Sequence, residues 1–182
     1  MNAIGPGSLR LRTARLVIRP VEDADAAATA ALVTPDVAAN LSTWPSPMSL
    51  AEASARISLS KTMLAARDAV DFAIVGRDRG DLLGWIGLAR LEGGNARLGY
   101  WLGTAFRGRG LMKEAATTAV PAGAALLGAD RIIALVLKAN APSIAVLHAT
   151  GFHPAGEEHV RLEVARTSRL CLRFELFPGE AR

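Results

Sequence analysis

Residues 106–116 read FRGRGLMKEAA, and this stretch restricts the fold more than any other part of the chain. Two glycines, two arginines and a lysine stand directly ahead of an alanine-rich helical run. Glycines let the backbone come close to a ligand, successive N–H groups can point outward together, and a helix N-terminus adds the positive end of a dipole. Arg107, Arg109 and Lys113 add formal charge. Flexible backbone, positive charge and a helix start in one place suit an anion, most of all a phosphate. A solvated glycine–arginine turn is the plainer alternative.

The flanking pattern says what kind of sheet feeds this loop. RLVIRP (15–20) reads as a short strand ending at a proline, and EDADAAATAALV after it as a helix with acidic residues at its start. Pro35, Pro45 and Pro47 break the chain around Trp44. Ser49 with Glu52 three residues on forms a capping box for a helix reaching about Ala66. DFAIVGR and LLGWIGLARL are strands separated by the turn RDRGD, Gly93-Gly94-Asn95 marks a second turn, and ARLGYWL is a third strand. This antiparallel meander runs directly into FRGRG. A helix is then expected over 111–127, kinked by Pro121 at about 3 kcal/mol relative to an ideal helix and ended by Gly128. RIIALVLKA is continuously apolar, as in a strand buried on both faces. Pro142 and Ser143 open a short helix that stops at Gly151, and strands near 157–165 and 168–177 close the chain. The order is βααβββαβαββ, an α/β (α+β) mixed sheet.

Composition bounds the function classes. The 182 residues suit one domain over 1–182 with a sizeable core, being 51% hydrophobic and 21% charged. The N-terminus MNAIGPGSLRLR has no apolar leader core, and the window 115–129 is too short and broken to span a bilayer. A soluble cytoplasmic protein is the simplest expectation. The lone Cys171 excludes a disulfide framework, and His148, His153 and His159 lack metal spacing, so no metal is expected. The net charge of +4 comes from scattered arginines, at 10, 12, 15 and 19 and at 161, 166, 169 and 173, whose spacing suits solvated strand faces better than a nucleic-acid surface.

Three glycine-rich phosphate grips can be compared with the loop. A P-loop needs four residues between its glycines followed by Lys-Ser/Thr, which Lys113 does not satisfy. A dinucleotide fingerprint needs a third glycine where Lys113 stands, in a parallel unit near the chain start. Arg107-Gly108-Arg109-Gly110-Leu111-Met112 fits [Gln/Arg]-x-x-Gly-x-[Gly/Ala] at every position but the last. It resembles the pyrophosphate loop of the GNAT superfamily of acyl-CoA-dependent N-acyltransferases. Gly99-Tyr100-Trp101-Leu102 ahead of the loop, and Asn140, Ser143 and Gly151-Phe152 beyond it, are similar in kind and spacing to the RimJ/RimL-like branch.

The resemblance implies a GNAT-like fold: a mostly antiparallel twisted sheet of about seven strands, splayed between the fourth and fifth, with about four helices. It implies acetyl-CoA as co-substrate and an amine acceptor, either a protein N-terminus or a small molecule, with a homodimer as a further partner. Backbone groups of Tyr100, Trp101 and Leu102 would pair with the pantetheine arm. Arg107, Gly108, Arg109, Gly110, Leu111, Met112 and Lys113 would hold the pyrophosphate. Asn140 would bond the pantetheine amide, or act only as a helix cap. Ser143 would protonate the departing thiolate, or likewise serve as a cap. Trp44 would wall the acceptor pocket or anchor the core. Two departures stand out. Leu147 occupies the position of the tyrosine acid of many members, leaving Ser143 as the acid by position, and Arg97 stands where relatives carry an acid. The general base is open among Glu92, Glu157, His153 and a water chain. A non-catalytic acyl-CoA-binding module and a nucleic-acid binder are the rival classes.

Overall fold

The computed structural model describes residues 9–162 and 167–179. The N-terminal MNAIGPGS, Arg166 and the last residues of the strand expected over 157–165 lie outside them. Among the described residues eight strands form one sheet: β1 (Leu11–Arg12), β2 (Leu16–Pro20), β3 (Ala69–Gly76), β4 (Leu82–Arg90), β5 (Asn95–Leu102), β6 (Arg131–Leu137), β7 (His153–Leu162) and β8 (Thr167–Leu176). Five helices accompany them: α1 (Ala26–Leu32), α2 (Pro35–Ala38), α3 (Leu50–Ala66), α4 (Leu111–Leu127) and α5 (Ala141–Ala149). The spatial order is β1-β2-β3-β4-β5-β6-β8-β7, antiparallel except for the parallel pair β5/β6.

The expected architecture is present, with one strand and one helix more than the approximate counts. The added strand is the two-residue β1, which pairs Leu11 with Ile18 and Arg12 with Val17. It is too short to give a period of its own. The added helix, α2, is a single turn begun by Pro35. The strand expected from 157 begins at His153, because the ladder with β8 shifts register between Pro154 and Glu157. Gly156 at φ 115° lies within that irregularity, so HPAGE reads locally as a turn although it continues the sheet.

Local chemistry explains the helix limits. The Ser49 hydroxyl accepts from the Glu52 N–H at 3.2 Å while the Glu52 carboxylate accepts from the Ser49 N–H at 2.7 Å, completing the capping box of α3. Asp25, at the start of α1, is buried and paired with Arg19 through two 2.8 Å bonds. Helix α4 runs on through Pro121, which sits on the exposed face where water can reach the freed Thr117 carbonyl, and ends at Gly128 with φ 62°.

Alternation along the meander separates two cores. Val70, Phe72, Ile86, Leu88 and Leu98 face α4 and α5, whereas Ala73, Trp85 and Trp101 face α1 and α3. Strands β3 and β4 are covered on both faces, which accounts for their nearly continuous apolar runs, whereas β5 exposes Arg97 and Gly99 on the α3 face.

Candidate active site

The parallel pairing of β5 with β6 is short. Asn95, Ala96, Arg97 and Leu98 pair with Arg131, Ile132, Ile133 and Ala134, and the ladder stops there. Beyond it β6 continues along β8, Leu135 with Arg173 through Leu137 with Cys171, while Gly99–Leu102 stay paired only to β4. The side of β5 turned toward β6 thus presents main-chain N–H and C=O groups with no strand beside them, a template for an extended ligand. A cavity of about 810 Å³ occupies the divergence. Because Tyr100 lies on the α5 face of the sheet and Gly99 and Trp101 on the α3 face, and all three line the cavity, the opening passes through the sheet.

The glycine loop closes one end of the opening. Gly108 and Gly110 adopt φ of 71° and 72°, the left-handed region that glycine enters without strain. Gly110 caps α4, so the first turn of a seventeen-residue helix faces the cavity, and Leu111 and Met112 are buried beneath it. The apolar Met112 side chain therefore packs inward rather than into the anion's space. Arg109 and Lys113 are exposed. Arg107 turns back, with Nε donating to the Leu102 carbonyl at 3.2 Å and Nη2 to the Asp36 carbonyl at 3.5 Å.

A strap from the first hairpin holds the loop in place. Arg15 donates from Nη1 to the Arg109 carbonyl at 2.9 Å and from Nε to Glu114 at 2.7 Å, and Glu114 also accepts from the Thr13 hydroxyl at 2.5 Å and the Arg15 N–H at 2.9 Å. Burial pushes the Glu114 carboxyl up, but these donors outweigh it and hold the carboxyl below its ordinary value. Spacing alone reads Arg15 as one of several solvated arginines. Its role depends on contacts 94 and 99 residues away.

On the α5 side, Asn140 Oδ1 accepts from the Ser143 N–H at 3.3 Å, so the asparagine caps α5. Its amide nitrogen has no protein partner among the described residues. Ser143 Oγ lies 2.8 Å from the Tyr100 hydroxyl, which is also 3.1 Å from the Ser143 carbonyl. Burial pushes the phenol up to about 12, against the opposing bond from Ser143, so it stays protonated at neutral pH. Ser143 is accordingly not the single hydroxyl at the opening; position in the sequence gives no sign of its phenolic partner.

On the α3 side, Trp44 meets Trp85 and Trp101 edge-on, each at 5.2 Å between ring centroids, and Arg56 lies over the Trp44 ring at 4.2 Å. Trp44 both packs the second core and lines the cavity. Gly99 and Arg97 form part of the floor, and Asp71 is the one carboxylate among the described lining residues. Burial raises the Asp71 carboxyl above its ordinary value, while the Ser60 hydroxyl and the Arg56 charge pull it down. Glu92, Glu157 and His153 do not line the cavity, and Glu157 pairs with Lys138 at 3.3 Å. His148 packs edge-on against Phe174, and Cys171 is buried, its thiol raised first by burial. Among the described residues no group of three or more His, Cys, Asp or Glu could hold a metal, and no helix is long and apolar enough to cross a membrane.

Comparison with solved structures finds the same fold in known acetyltransferases. Mycobacterium smegmatis RimJ in complex with CoA-disulfide superposes with TM-score 0.77 at 22% identity over 91% of this chain and 83% of that one. RimL, a ribosomal L7/L12 alpha-N-protein acetyltransferase in complex with coenzyme A, gives 0.78 at 18% identity, covering 91% and 95%. The microcin C7 self-immunity acetyltransferase MccE, in complex with acetyl-CoA and AMP, gives 0.80 at 15% identity, covering 91% and 93%. No curated protein sequence matches significantly. The sequence profile of the acetyltransferase (GNAT) domain matches residues 15–153, from the arginine of the loop strap to the first residue of β7. With the sheet, its opening and its glycine loop in agreement, the chain belongs to the GNAT acetyltransferase family.

Proposed function

We propose that the protein is an acetyl-CoA-dependent N-acetyltransferase of the RimJ/RimL-like branch, acting on a primary amine by direct attack on the thioester. The observation that carries this is the unpaired edge Gly99–Leu102 leading to the N-terminus of α4. An extended pantetheine arm suits that edge as an added strand. The pyrophosphate suits the outward N–H groups at 108–112 and the helix dipole, with Arg109 and Lys113 as exposed cations. Arg107 joins them if its guanidinium exchanges the Leu102 carbonyl for the anion. Asn140 can offer its free amide nitrogen to the arm while its oxygen caps α5. The amine nitrogen forms the C–N bond as the C–S bond breaks, and the thiolate takes a proton from the Ser143–Tyr100 pair. Trp44 walls the acceptor's approach.

Arg97, a cation where the family resemblance leads one to expect an acid, favours a second reading, a non-catalytic acyl-CoA-binding module. One experiment separates the two. Acetyl-CoA should raise the melting temperature, and free thiol should appear when peptides with free N-termini, a polyamine, an amino acid and an aminoglycoside are supplied. Stabilisation without turnover of any amine supports the module. Neither stabilisation nor turnover refutes both.

A further inference from the structure

Asp71, Gly87 and Gly99 stand in one row across three strands. Asp71 pairs with Gly87, and Gly87 with Gly99, so all three share the face that carries Trp85 and Trp101. A Cβ on Gly87 would collide with the Asp71 carboxylate. The missing side chain is therefore what allows this carboxylate to lie across β4. Adjacent strands are about 4.8 Å apart, which puts the carboxylate about one strand spacing from Gly99. At Gly99 no atom comes within 4 Å of the position a Cβ would take, and the row ends in the open cavity beside the unpaired edge of β5.

The groups facing the carboxylate do not neutralise it. From α3 come the buried Ser60 and Arg56, whose guanidinium donates to the Thr43 carbonyl and stacks on Trp44. From β5 comes Arg97, which lines the same cavity. Among the described residues no cation lies within ion-pair distance of Asp71. We propose that Asp71 is the general base, accepting the proton that the acceptor nitrogen loses as acetyl transfer proceeds. This rests on the transfer reaction proposed above.

The step balances. A neutral amine adds to the thioester carbonyl, and its nitrogen passes one proton to the Asp71 carboxylate, directly or across one water. The C–S bond breaks, and the thiolate gains one proton from the Ser143–Tyr100 pair, which water then resupplies from protonated Asp71. Desolvation makes this carboxylate more basic than an exposed one. The carboxylate and the Ser143–Tyr100 pair lie on opposite faces of the sheet, so one group removes a proton while the other donates one.

The test uses the full chain, acetyl-CoA and the panel amine that wild type turns over fastest. Asp71→Asn is close in shape and should leave the acetyl-CoA thermal shift intact, which also reports folding. It should lower kcat by about 10²–10⁴-fold, the usual range for a positioned base, and remove the acid limb of the kcat/KM profile. Undiminished turnover overturns the proposal, as does a lower rate whose acid limb stays in place. Wild type failing on every amine would refute the transfer reaction itself, and this inference with it.

Discussion

The Tyr100 hydroxyl lies 2.8 Å from Ser143 Oγ, joining the last paired strand before the opening to the first turn of α5 across 43 residues of sequence. Two hydroxyls thus share the place where position in the chain points to one. Ser143→Ala should reduce turnover by about ten- to a thousandfold with little change in acetyl-CoA affinity. Tyr100→Phe should lower turnover less, because the serine remains. Equal binding and rate losses in Ser143→Ala would instead mark a purely structural serine.

The same phenol makes a statement about stability. Its folded value of about 12 is raised above the unfolded one near 10, so its contribution is complete below pH 10 and disappears as pH rises toward 12. Wild type should therefore lose stability relative to Tyr100→Phe across that window, by about 2 kcal/mol at most after allowance for partial exposure. Denaturant melts of both proteins at pH 9 and pH 11 measure the difference.

Gly110→Asp tests the anion grip. Aspartate tolerates the left-handed backbone at φ 72° better than most residues, and no neighbour lies closer to a Cβ there than Arg15 at 3.7 Å. The fold should survive, while a negative charge stands in the anion's position. The stabilisation by acetyl-CoA expected of wild type should vanish, and an unchanged shift would remove the pyrophosphate from this loop.

Asn140→Ala should show two effects. Loss of the cap on α5 should lower stability by about 1 kcal/mol. Loss of a neutral hydrogen bond to the pantetheine arm, about 0.5–1.5 kcal/mol, should weaken acetyl-CoA several-fold by calorimetry. Intact affinity would leave Asn140 a cap alone.

Glu114→Ala should loosen the strap and, through Arg109, the glycine loop. Acetyl-CoA affinity should fall although Glu114 bonds only Thr13 and Arg15. Since the folded carboxyl is held below its ordinary value, its stabilising effect is present above that value and is lost as pH falls through the depressed one. Wild type should thus lose more stability than the variant on acidification, as thermal melts between pH 7 and pH 3 would report.

Features fixed by neighbours in sequence are legible in the sequence alone: the Ser49–Glu52 box, the stop at Gly128, the meander and the glycine loop. The divergence of β5 from β6 also follows the expectation carried by the family resemblance. Features fixed by register were not legible. Asp71 looks like the first residue of a strand until its partner proves to be Gly87, with Gly99 next in the row, and Arg15 looks solvated until the hairpin folds against α4. Hydrophobic pattern gives the face a residue occupies but not who stands opposite on the next strand. Long-range pairing, which decided Asp71, Tyr100 and Arg15, is the information a single sequence carries least openly.

The passage through the sheet divides the molecule's tasks as well as its space. Residues that would grip the nucleotide lie with α4 and α5, while Trp44, Arg56 and Asp71 lie with the segments before and within β3. Few side chains, Arg107 toward Asp36 among them, bridge the two sets. Substitutions around Trp44 can therefore reshape the acceptor chamber while the grip stays as it is. One scaffold can be turned toward a new amine by changes confined to the α3 side of the opening.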